Sequence, residues 1–317
     1  MEYRLSVSVL LLILFVSIGF SQEKQKTGFE FQKDMQGINL VENGKPVFFY
    51  QQQTKMLAGK YKANNYLHPL YSLTGEVLTE ESPKDHPYHS GIFWRWHQHY
   101  VDNKSIGEGW VFEGIYQDVE KVNTKIVKGT AQFDISVLWK SSNYQNGKPY
   151  IEEKTKIIVY PAEQNLRKID FEISLKGLVP NAQIGGAADE KGYGGFCPRI
   201  RLPDGLIFTS VDGPVKPQNT QITAGPWMDM SGPLGKNGEI SGVTMMCHPS
   251  TPNYPAPWIL RQKTSMQNVV YPGRDLVTVP MDKPIVLRYR LLIHNGNAGS
   301  VDLPAIQKEY GKMYGKK

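Results

Sequence analysis

Cysteine is scarce in this chain of 317 residues, which contains only Cys197 and Cys247. Two cysteines are too few for a disulfide-rich scaffold or for a zinc motif built on cysteine pairs, so both classes are excluded. The two thiols could form one disulfide, but a chain of this length can bury a core that needs no such cross-link. Two buried free thiols are the alternative prediction.

The signatures of several common enzyme mechanisms are also missing. The sequence contains no glycine-rich phosphate loop, no nucleophile elbow and no dinucleotide fingerprint, so none of those chemistries is supported. It has no dense run of lysine and arginine, and we therefore expect no nucleic-acid partner. The formal net charge is nevertheless +6, which suits an anionic partner such as a uronate-containing or sulfated glycan.

Long apolar runs are confined to the N-terminus. Residues 1–21 combine Arg4, an apolar run over 7–20 and small residues at the end, which predicts a secretory signal peptide cleaved near Ser21. A single membrane anchor is the alternative, because the run approaches the length that spans a bilayer. No other stretch is long enough, so the sequence predicts an exported protein without a membrane span in its mature chain.

Alternation of apolar and polar residues dominates the rest of the chain. Four segments, residues 131–140, 154–161, 167–177 and 284–294, follow this period of two and are separated by turn sequences. Helical periodicity is scarce, and the best candidate is residues 304–315. Many strands with short turns predict an all-β protein, a large antiparallel β-sandwich or a barrel with few short helices. Without a clear linker, we expect a single domain over residues 28–317.

The segment KDHPYHSGIFWRWHQHY, residues 84–100, contains four of the seven histidines. Its second half, residues 91–100, predicts a strand, in which side chains alternate between two faces. The donor-rich face is expensive to bury without partners, so we expect it to line a cleft or to face solvent. The tryptophan face is expected to pack into the core. The first face carries Phe93, Arg95, His97 and His99, and the second carries Trp94, Trp96, Gln98 and Tyr100.

Two kinds of chemistry fit these histidines. His97 and His99 have the spacing of two metal ligands on one strand, but a metal site needs a third ligand from elsewhere. Hydrogen-bonded histidines without a metal are the alternative. His86 and His89 lie in a turn set by Pro87, where an imidazole is well placed to act as an acid or a base.

Two further segments have the composition of a binding site. Arg199 and Arg201 follow a glycine-rich turn on one face of a predicted strand, and such a pair can bind carboxylate or sulfate. The loop over residues 248–258 contains four prolines, which make it rigid. We expect this loop to hold the candidate sugar-binding side chains in fixed positions. They are His248, Asn253 and Trp258.

Several motifs occur in a fixed order along the chain. They are Tyr66-Leu67-His68-Pro69-Leu70-Tyr71, Asp85-His86-Pro87-Tyr88-His89-Ser90-Gly91-Ile92-Phe93-Trp94, Tyr193-Gly194-Gly195-Phe196, His248-Pro249-Ser250-x-Pro252-Asn253-Tyr254-Pro255-x-Pro257-Trp258 and Leu287-Arg288-Tyr289-Arg290. This set resembles a bacterial family of PmoA-like proteins, also labelled methane oxygenases, from about residue 40 to 296. A methane-oxidising membrane subunit spans the bilayer several times, which this chain does not.

The resemblance implies an exported protein linked to polysaccharide degradation, with a β-sandwich of the large mutarotase-like kind. It also implies removal of water from a terminal uronic acid, which gives a 4,5-unsaturated sugar. The family's first motif commonly reads Asp-His-Pro-His-His-Arg, whereas this chain has Tyr88 and Ser90 at the fourth and sixth positions. Arg95 or Arg261 is expected to replace the missing arginine.

These observations predict a periplasmic dehydratase, or carbon–oxygen lyase, that acts on acidic oligosaccharides. Proton abstraction next to a carboxylate needs a base, an acid and a cation that stabilises the enolate. No cofactor is expected, although a divalent metal on His97 and His99 could replace the arginine clamp. The candidate catalytic residues, expected to converge in one cleft, are His86, His89 and His248, with Tyr193 as proton donor. The candidate substrate-binding residues are Arg95, His97, Arg199, Asn253, Trp258 and Arg261.

Three other functions fit parts of the sequence. A glycoside hydrolase would use paired carboxylates. A non-catalytic carbohydrate-binding protein would use tryptophan and tyrosine rings as stacking platforms. A cupin-like metal oxygenase would use the His-x-His strand. The carboxylates available to the hydrolase are Asp85, Asp189, Glu190 and Asp229.

Overall fold

The computed structural model describes residues 28–314, which form 23 strands, three short 3-10 helices and one α-helix. The strands are β1 (Phe29–Lys33), β2 (Gly37–Glu42), β3 (Lys45–Gln51), β4 (Lys55–Leu57), β5 (Tyr61–Ala63), β6 (Tyr66–Leu70), β7 (Ile92–Arg95), β8 (Gln98–Val101), β9 (Lys104–Glu108), β10 (Ile115–Val127), β11 (Thr130–Ser141), β12 (Ile151–Val159), β13 (Leu166–Gly177), β14 (Ala182–Gly185), β15 (Gly195–Pro198), β16 (Ile207–Ser210), β17 (Gly213–Val215), β18 (Trp227–Gly232), β19 (Ser241–Cys247), β20 (Trp258–Ile259), β21 (Asn268–Val270), β22 (Val277–Thr278) and β23 (Ile285–Asn295). The 3-10 helices are Gln145–Gly147, Lys236–Gly238 and Ala298–Ser300, and the α-helix, α1, is Leu303–Lys312.

Two large antiparallel sheets dominate the fold. The first has eight strands in the order β1-β2-β3-β6-β7-β15-β21-β20, and the second has nine in the order β10-β11-β12-β13-β23-β19-β18-β16-β17. A four-stranded sheet, β22-β14-β8-β9, and the hairpin β4-β5 complete it. The predicted all-β, sandwich-like fold is confirmed, and the four alternating segments form β11, β12, β13 and β23.

The core lies between the two large sheets, because each presents an apolar face. Along β11, buried residues alternate strictly with half-buried ones, as a strand with one face in the core requires. The Phe133 ring on this strand contacts Phe31 and Phe48 of the first sheet, with each pair of centroids 5.3 Å apart. Contacts of this kind fix the two sheets face to face.

A single carboxylate also joins the two sheets inside the core. Glu153 on β12 is fully buried and accepts hydrogen bonds from the indole nitrogens of Trp94 (2.8 Å) and Trp139 (2.9 Å). It also accepts from the Asn65 amide and the Thr155 hydroxyl. Trp94 belongs to the first sheet and Trp139 to the second, so this hydrogen-bonded cluster spans the core. Burial raises the pKa of Glu153, and the four donors oppose that shift.

The histidine-rich segment does not form the single strand that its sequence predicts. The chain leaves β7 after Arg95 and enters β8 at Gln98, and the two strands belong to different sheets. Trp94 and Trp96 are buried in the main core, as predicted. The expectation that the arginine and histidine face meets solvent is wrong for Arg95, which is 2% exposed, and for His99, which is 0% exposed.

The C-terminal helix covers the outer face of the second sheet. Asp302 caps α1, because its carboxylate accepts a hydrogen bond from the Ala305 amide at 3.0 Å. Leu303, Ile306 and Tyr310 then pack against sheet residues. The sequence prediction of a helix near 304–315 is therefore confirmed. Within residues 28–314, no helix has both the length and the apolar character needed to cross a membrane.

Two other predictions concern the termini and the cysteines. The predicted signal peptide, residues 1–21, lies outside the described residues. Cys197 and Cys247 are both free and buried, which confirms the alternative of two free thiols.

Candidate functional site

A cavity of about 260 Å³, here called cavity A, lies beside the histidine turn that precedes β7. Phe93 and Arg95 point away from the main core, and Phe93 packs in a second apolar cluster with Trp110 and Met266, which line this cavity. Cavity A therefore forms on the outer face of the first sheet. Its lining residues are His86, Tyr88, His89, Trp110, Lys191, Tyr193, Asn219, Arg261, Lys263, Thr264, Ser265 and Met266.

His86 is oriented by a chain of charged groups. Its Nδ1 lies 2.7 Å from Oδ2 of Asp85. Arg199 donates to the same carboxylate at 3.0 Å and to Glu80 at 2.7 Å, and its side chain is 2% exposed. An imidazole whose Nδ1–H donates to a carboxylate has its Nε2 free to accept a proton. The turn therefore presents the His86 imidazole as a base in a fixed orientation. Asp85 fixes that orientation, and the buried guanidinium of Arg199 holds Asp85 in place.

His89 is stacked under His86 and differs from it in environment. The two rings are parallel, with centroids 4.7 Å apart. His89 is 2% exposed, and its Nδ1 has no hydrogen-bond partner within the described structure. Burial, reinforced by His86 and Arg199, lowers the pKa of His89 well below its ordinary value. His89 is therefore neutral at physiological pH.

The rings of Trp110 and Tyr193 line one side of cavity A, and the His97 ring contacts both. His97 stacks on Trp110 at 4.8 Å and meets the edge of Tyr193 at 4.7 Å. Glu108 fixes the His97 ring through a 2.9 Å contact with Nδ1 and accepts hydrogen bonds from the backbone amides of Trp110 and Val111. Burial raises the pKa of Tyr193 to about 12, so its hydroxyl keeps a proton that it can donate.

The charged side chains that line cavity A are all cationic. They are Lys191, Arg261 and Lys263. Arg261 also donates to the backbone carbonyls of Gln218 and Asn219, which holds that loop at the mouth of the cavity. Among the described residues that line cavity A, none carries a carboxylate. The composition favours a small anionic ligand.

Arg95 and Arg199 do not line cavity A, although both were predicted to contact substrate. Arg95 lies beneath it and donates to the Tyr88 carbonyl (3.1 Å) and the Ser90 hydroxyl (2.8 Å). Burial lowers the pKa of Arg95 to about 10. Ser90 stands where the motif of the PmoA-like proteins has an arginine, and the contact of Arg95 with Ser90 places a guanidinium next to that position. The two buried arginines support the histidine turn and do not line the space that a ligand would occupy.

The proline-rich loop lies elsewhere, so the prediction that His248 meets His86 and His89 in one cleft is wrong. His248 Nε2 hydrogen-bonds to the Met313 carbonyl at 2.8 Å, and its ring packs on Tyr310 of α1. The two other predicted residues of the loop also lie outside cavity A. Asn253 donates to the Val270 carbonyl, and the buried Trp258 donates to the Gly225 carbonyl.

The metal alternative lacks a third ligand in the described residues. His99 is buried against Trp139, and its Nδ1 lies 2.8 Å from the Tyr150 hydroxyl while Nε2 lies 3.2 Å from the Trp96 carbonyl. His97 is engaged with Glu108 instead. Over residues 28–314, no group of three or more histidine, cysteine or acidic side chains is arranged to hold a metal ion.

Sequence comparison adds a family but no activity. A family model matches residues 37–306, most of the chain, and is described only as a family of unknown function, DUF6807. The chain belongs to this family. A search of curated proteins finds no match. The resemblance to PmoA-like proteins therefore stays a prediction.

The structure brings together some predicted residues and some that the sequence did not indicate. His86, His89, Tyr193 and Arg261 all line cavity A, whereas His97 does not line it and stacks against Trp110, which does. The lining residues that sequence analysis missed are Tyr88, Trp110, Lys191, Asn219 and the segment 263–266. The sequence did not indicate a binding role for Lys191 and Lys263, because single lysines in loops are common on any protein surface.

Proposed function

We propose that the protein is a periplasmic lyase that removes water from a terminal uronic acid of acidic oligosaccharides, giving a 4,5-unsaturated sugar. The observation that supports this most is the lining of cavity A. It combines an oriented imidazole, a protonated phenol and three cationic side chains without a carboxylate. Elimination next to a carboxylate needs those three kinds of group.

Each group has one role in the proposed reaction. Nε2 of His86 takes the proton from C5 of the uronate. The cations of Lys191 and Arg261 stabilise the negative charge that develops on the carboxylate as an enolate. Tyr193 donates its proton to the 4-hydroxyl, which leaves as water. The C5–H and C4–O bonds break and the C4–C5 double bond forms. The proton on His86 then returns to Tyr193 through solvent.

The neighbouring residues support this assignment of roles. Neutral His89, stacked on His86, leaves one imidazole to carry the proton, because two charged rings in contact repel each other. Asp85 holds the His86 tautomer and stabilises the imidazolium that forms. A glycoside hydrolase would need two carboxylates facing the substrate. The nearby carboxylates, Asp85 and Glu108, are each engaged with a histidine and do not line cavity A.

A panel of uronate-containing oligosaccharides tests the proposal. We expect the ultraviolet absorbance of the unsaturated uronate to rise and the product to lose the mass of one water. His86→Gln and Tyr193→Phe should each lower kcat by about 10²–10⁴-fold. His248→Ala, which lies outside cavity A, serves as the matched histidine control and should keep wild-type turnover.

Other outcomes separate the rival functions. Release of reducing ends without a rise in absorbance would identify a hydrolase. Binding without any product would identify a carbohydrate-binding protein. Wild-type turnover by both the His86 and the Tyr193 variants would contradict the assigned roles.

A further inference from the structure

A second cavity, here called cavity B, lies next to cavity A and has a different chemistry. Its volume is about 470 Å³. Polar side chains make up much of its lining. Among the described residues that line it, two carry carboxylates and none is a lysine or an arginine. The residues used in the argument below are His97, Tyr100, Glu108, Glu113, Asn143 and Ala188.

The two cavities meet at one pair of stacked rings. Trp110 lines cavity A and His97 lines cavity B, and their rings stack at 4.8 Å with 12° between the planes. The loop over residues 188–193 borders both, because Ala188 lines cavity B while Lys191 and Tyr193 line cavity A. The two cavities are therefore neighbours that adjoin at the Trp110–His97 ring pair.

The charge of the lining changes sign across the boundary. Lys191, Arg261 and Lys263 line cavity A, whereas Glu108 and Glu113 line cavity B. Hydrogen bonds hold Glu108 in place, and its backbone pairs with that of Glu113 at 2.8 Å in both directions. The Glu113 side chain is exposed. A sulfate or a second uronate in cavity B would face these carboxylates, and like charges at close range cost binding energy.

We propose that cavity B binds the sugar residue next to the terminal uronic acid and that this residue is uncharged. The proposal rests on the proposed function of cavity A and names its substrate class: oligosaccharides with an anionic end and a neutral second residue. The Asn143 amide and the carboxylates can hydrogen-bond hydroxyl groups. The Tyr100 ring offers an apolar surface to a sugar face.

Two matched disaccharides test the proposal. Both carry the same terminal uronic acid, and only one carries a sulfate on the second residue. We expect kcat/KM of the wild-type protein to be at least about fivefold higher for the unsulfated compound. Glu113→Gln should lower that ratio about two- to fivefold, as expected for one exposed charge pair. Glu120→Gln, an exposed carboxylate on β10 outside both linings, should keep the wild-type ratio.

The outcomes distinguish this proposal from the proposed function. Equal kcat/KM for the two disaccharides, or an unchanged ratio in Glu113→Gln, would overturn the assignment of cavity B and leave the dehydratase intact. If neither compound is turned over, the proposed function fails, and calorimetric binding of the same two compounds decides the question of cavity B. Tighter binding of the unsulfated compound, reduced in Glu113→Gln, would support the assignment. Equal or undetectable binding of both would overturn it.

Discussion

The imidazole rings of His86 and His89 lie parallel, with their centroids 4.7 Å apart and their planes within 7°. Only one of the two can be protonated at a time without strong repulsion. Burial keeps His89 neutral, whereas the carboxylate of Asp85 contacts His86. Both rings line cavity A, and His86 is the one that is paired with a carboxylate.

Asp85 should matter for turnover because it fixes the tautomer of His86. We expect Asp85→Asn to lower kcat by roughly 10²-fold or more, because an amide can present its NH₂ group to Nδ1 and favour the wrong tautomer. Nitrogen NMR of the His86 ring should show the proton moving from Nδ1 to Nε2. Glu172→Gln, which breaks a surface ion pair with Arg288, is the control and should change neither observable. Unchanged NMR signals and turnover in Asp85→Asn would show that Asp85 does not position His86.

Glu153 should be a sensitive polar position in the core. Each of its four hydrogen bonds brings a donor to the carboxylate, so the NH₂ group of Glu153→Gln would face at least one other donor. We expect a loss of about 2–4 kcal/mol in the free energy of unfolding in urea. Glu152→Gln, on the same strand but paired with Lys154 at the surface, should change it by less than about 0.5 kcal/mol. Equal effects of the two substitutions would contradict the structural role.

His99 should make the fold sensitive to acid. Burial lowers its pKa to about 4, below the value of about 6.5 expected in the unfolded chain. Between these values the unfolded state binds more protons, so stability is lost as pH falls from about 6.5 to about 4. The loss from this residue is on the order of 3 kcal/mol, and half-buried His68 and buried His89, whose pKa values are also lowered, add to it.

Urea unfolding measured across this pH range checks the prediction. His99→Gln retains an amide that can donate to the Trp96 carbonyl but cannot be protonated in this range. The dependence of its unfolding free energy on pH should be smaller than that of the wild type by about one proton. An identical pH dependence in both proteins would exclude His99 as a source of acid sensitivity.

The two cysteine thiols should not react with thiol reagents in the native protein. Cys197 and Cys247 are fully buried, and burial raises the pKa of Cys247 to about 12. We expect a thiol reagent to modify neither residue in buffer and both in denaturant, without prior reduction. Fewer than two reactive thiols in the denatured, unreduced protein would indicate oxidation in the purified chain.

The sequence predicted the fold better than the site. Alternation along β11, β12, β13 and β23 is a local signal that survives folding, because one face of each strand is buried. Nothing local marks the break at Trp96 and His97, which connect β7 in one sheet to β8 in another. The prediction of a single strand therefore placed His97 and His99 on one face, whereas His99 turns into the core.

The predictions for His248 and Arg95 were wrong because the sequence does not show where these residues lie relative to cavity A. The prolines around His248 correctly indicate a rigid loop, but rigidity does not specify which cavity a loop reaches. Arg95 was predicted to meet substrate because a buried guanidinium without a carboxylate is expensive. It is accommodated by the Tyr88 carbonyl, the Ser90 hydroxyl and two aromatic rings, at 4.8 Å for Phe93 and 4.4 Å for Phe112. Contacts of this kind do not follow from the order of residues.

The lining of cavity A comes from separate parts of the chain, from the turn at His86 and His89 to the loop that ends at Met266. Pairing between strands distant in sequence, such as β7, β15 and β21, brings these segments together. Long-range pairing of this kind is slow, because chain entropy is lost before the contacts that compensate for it form. Recovery of ligand binding during refolding should therefore lag behind recovery of secondary structure, and fragments that lack β21 should have no site at all.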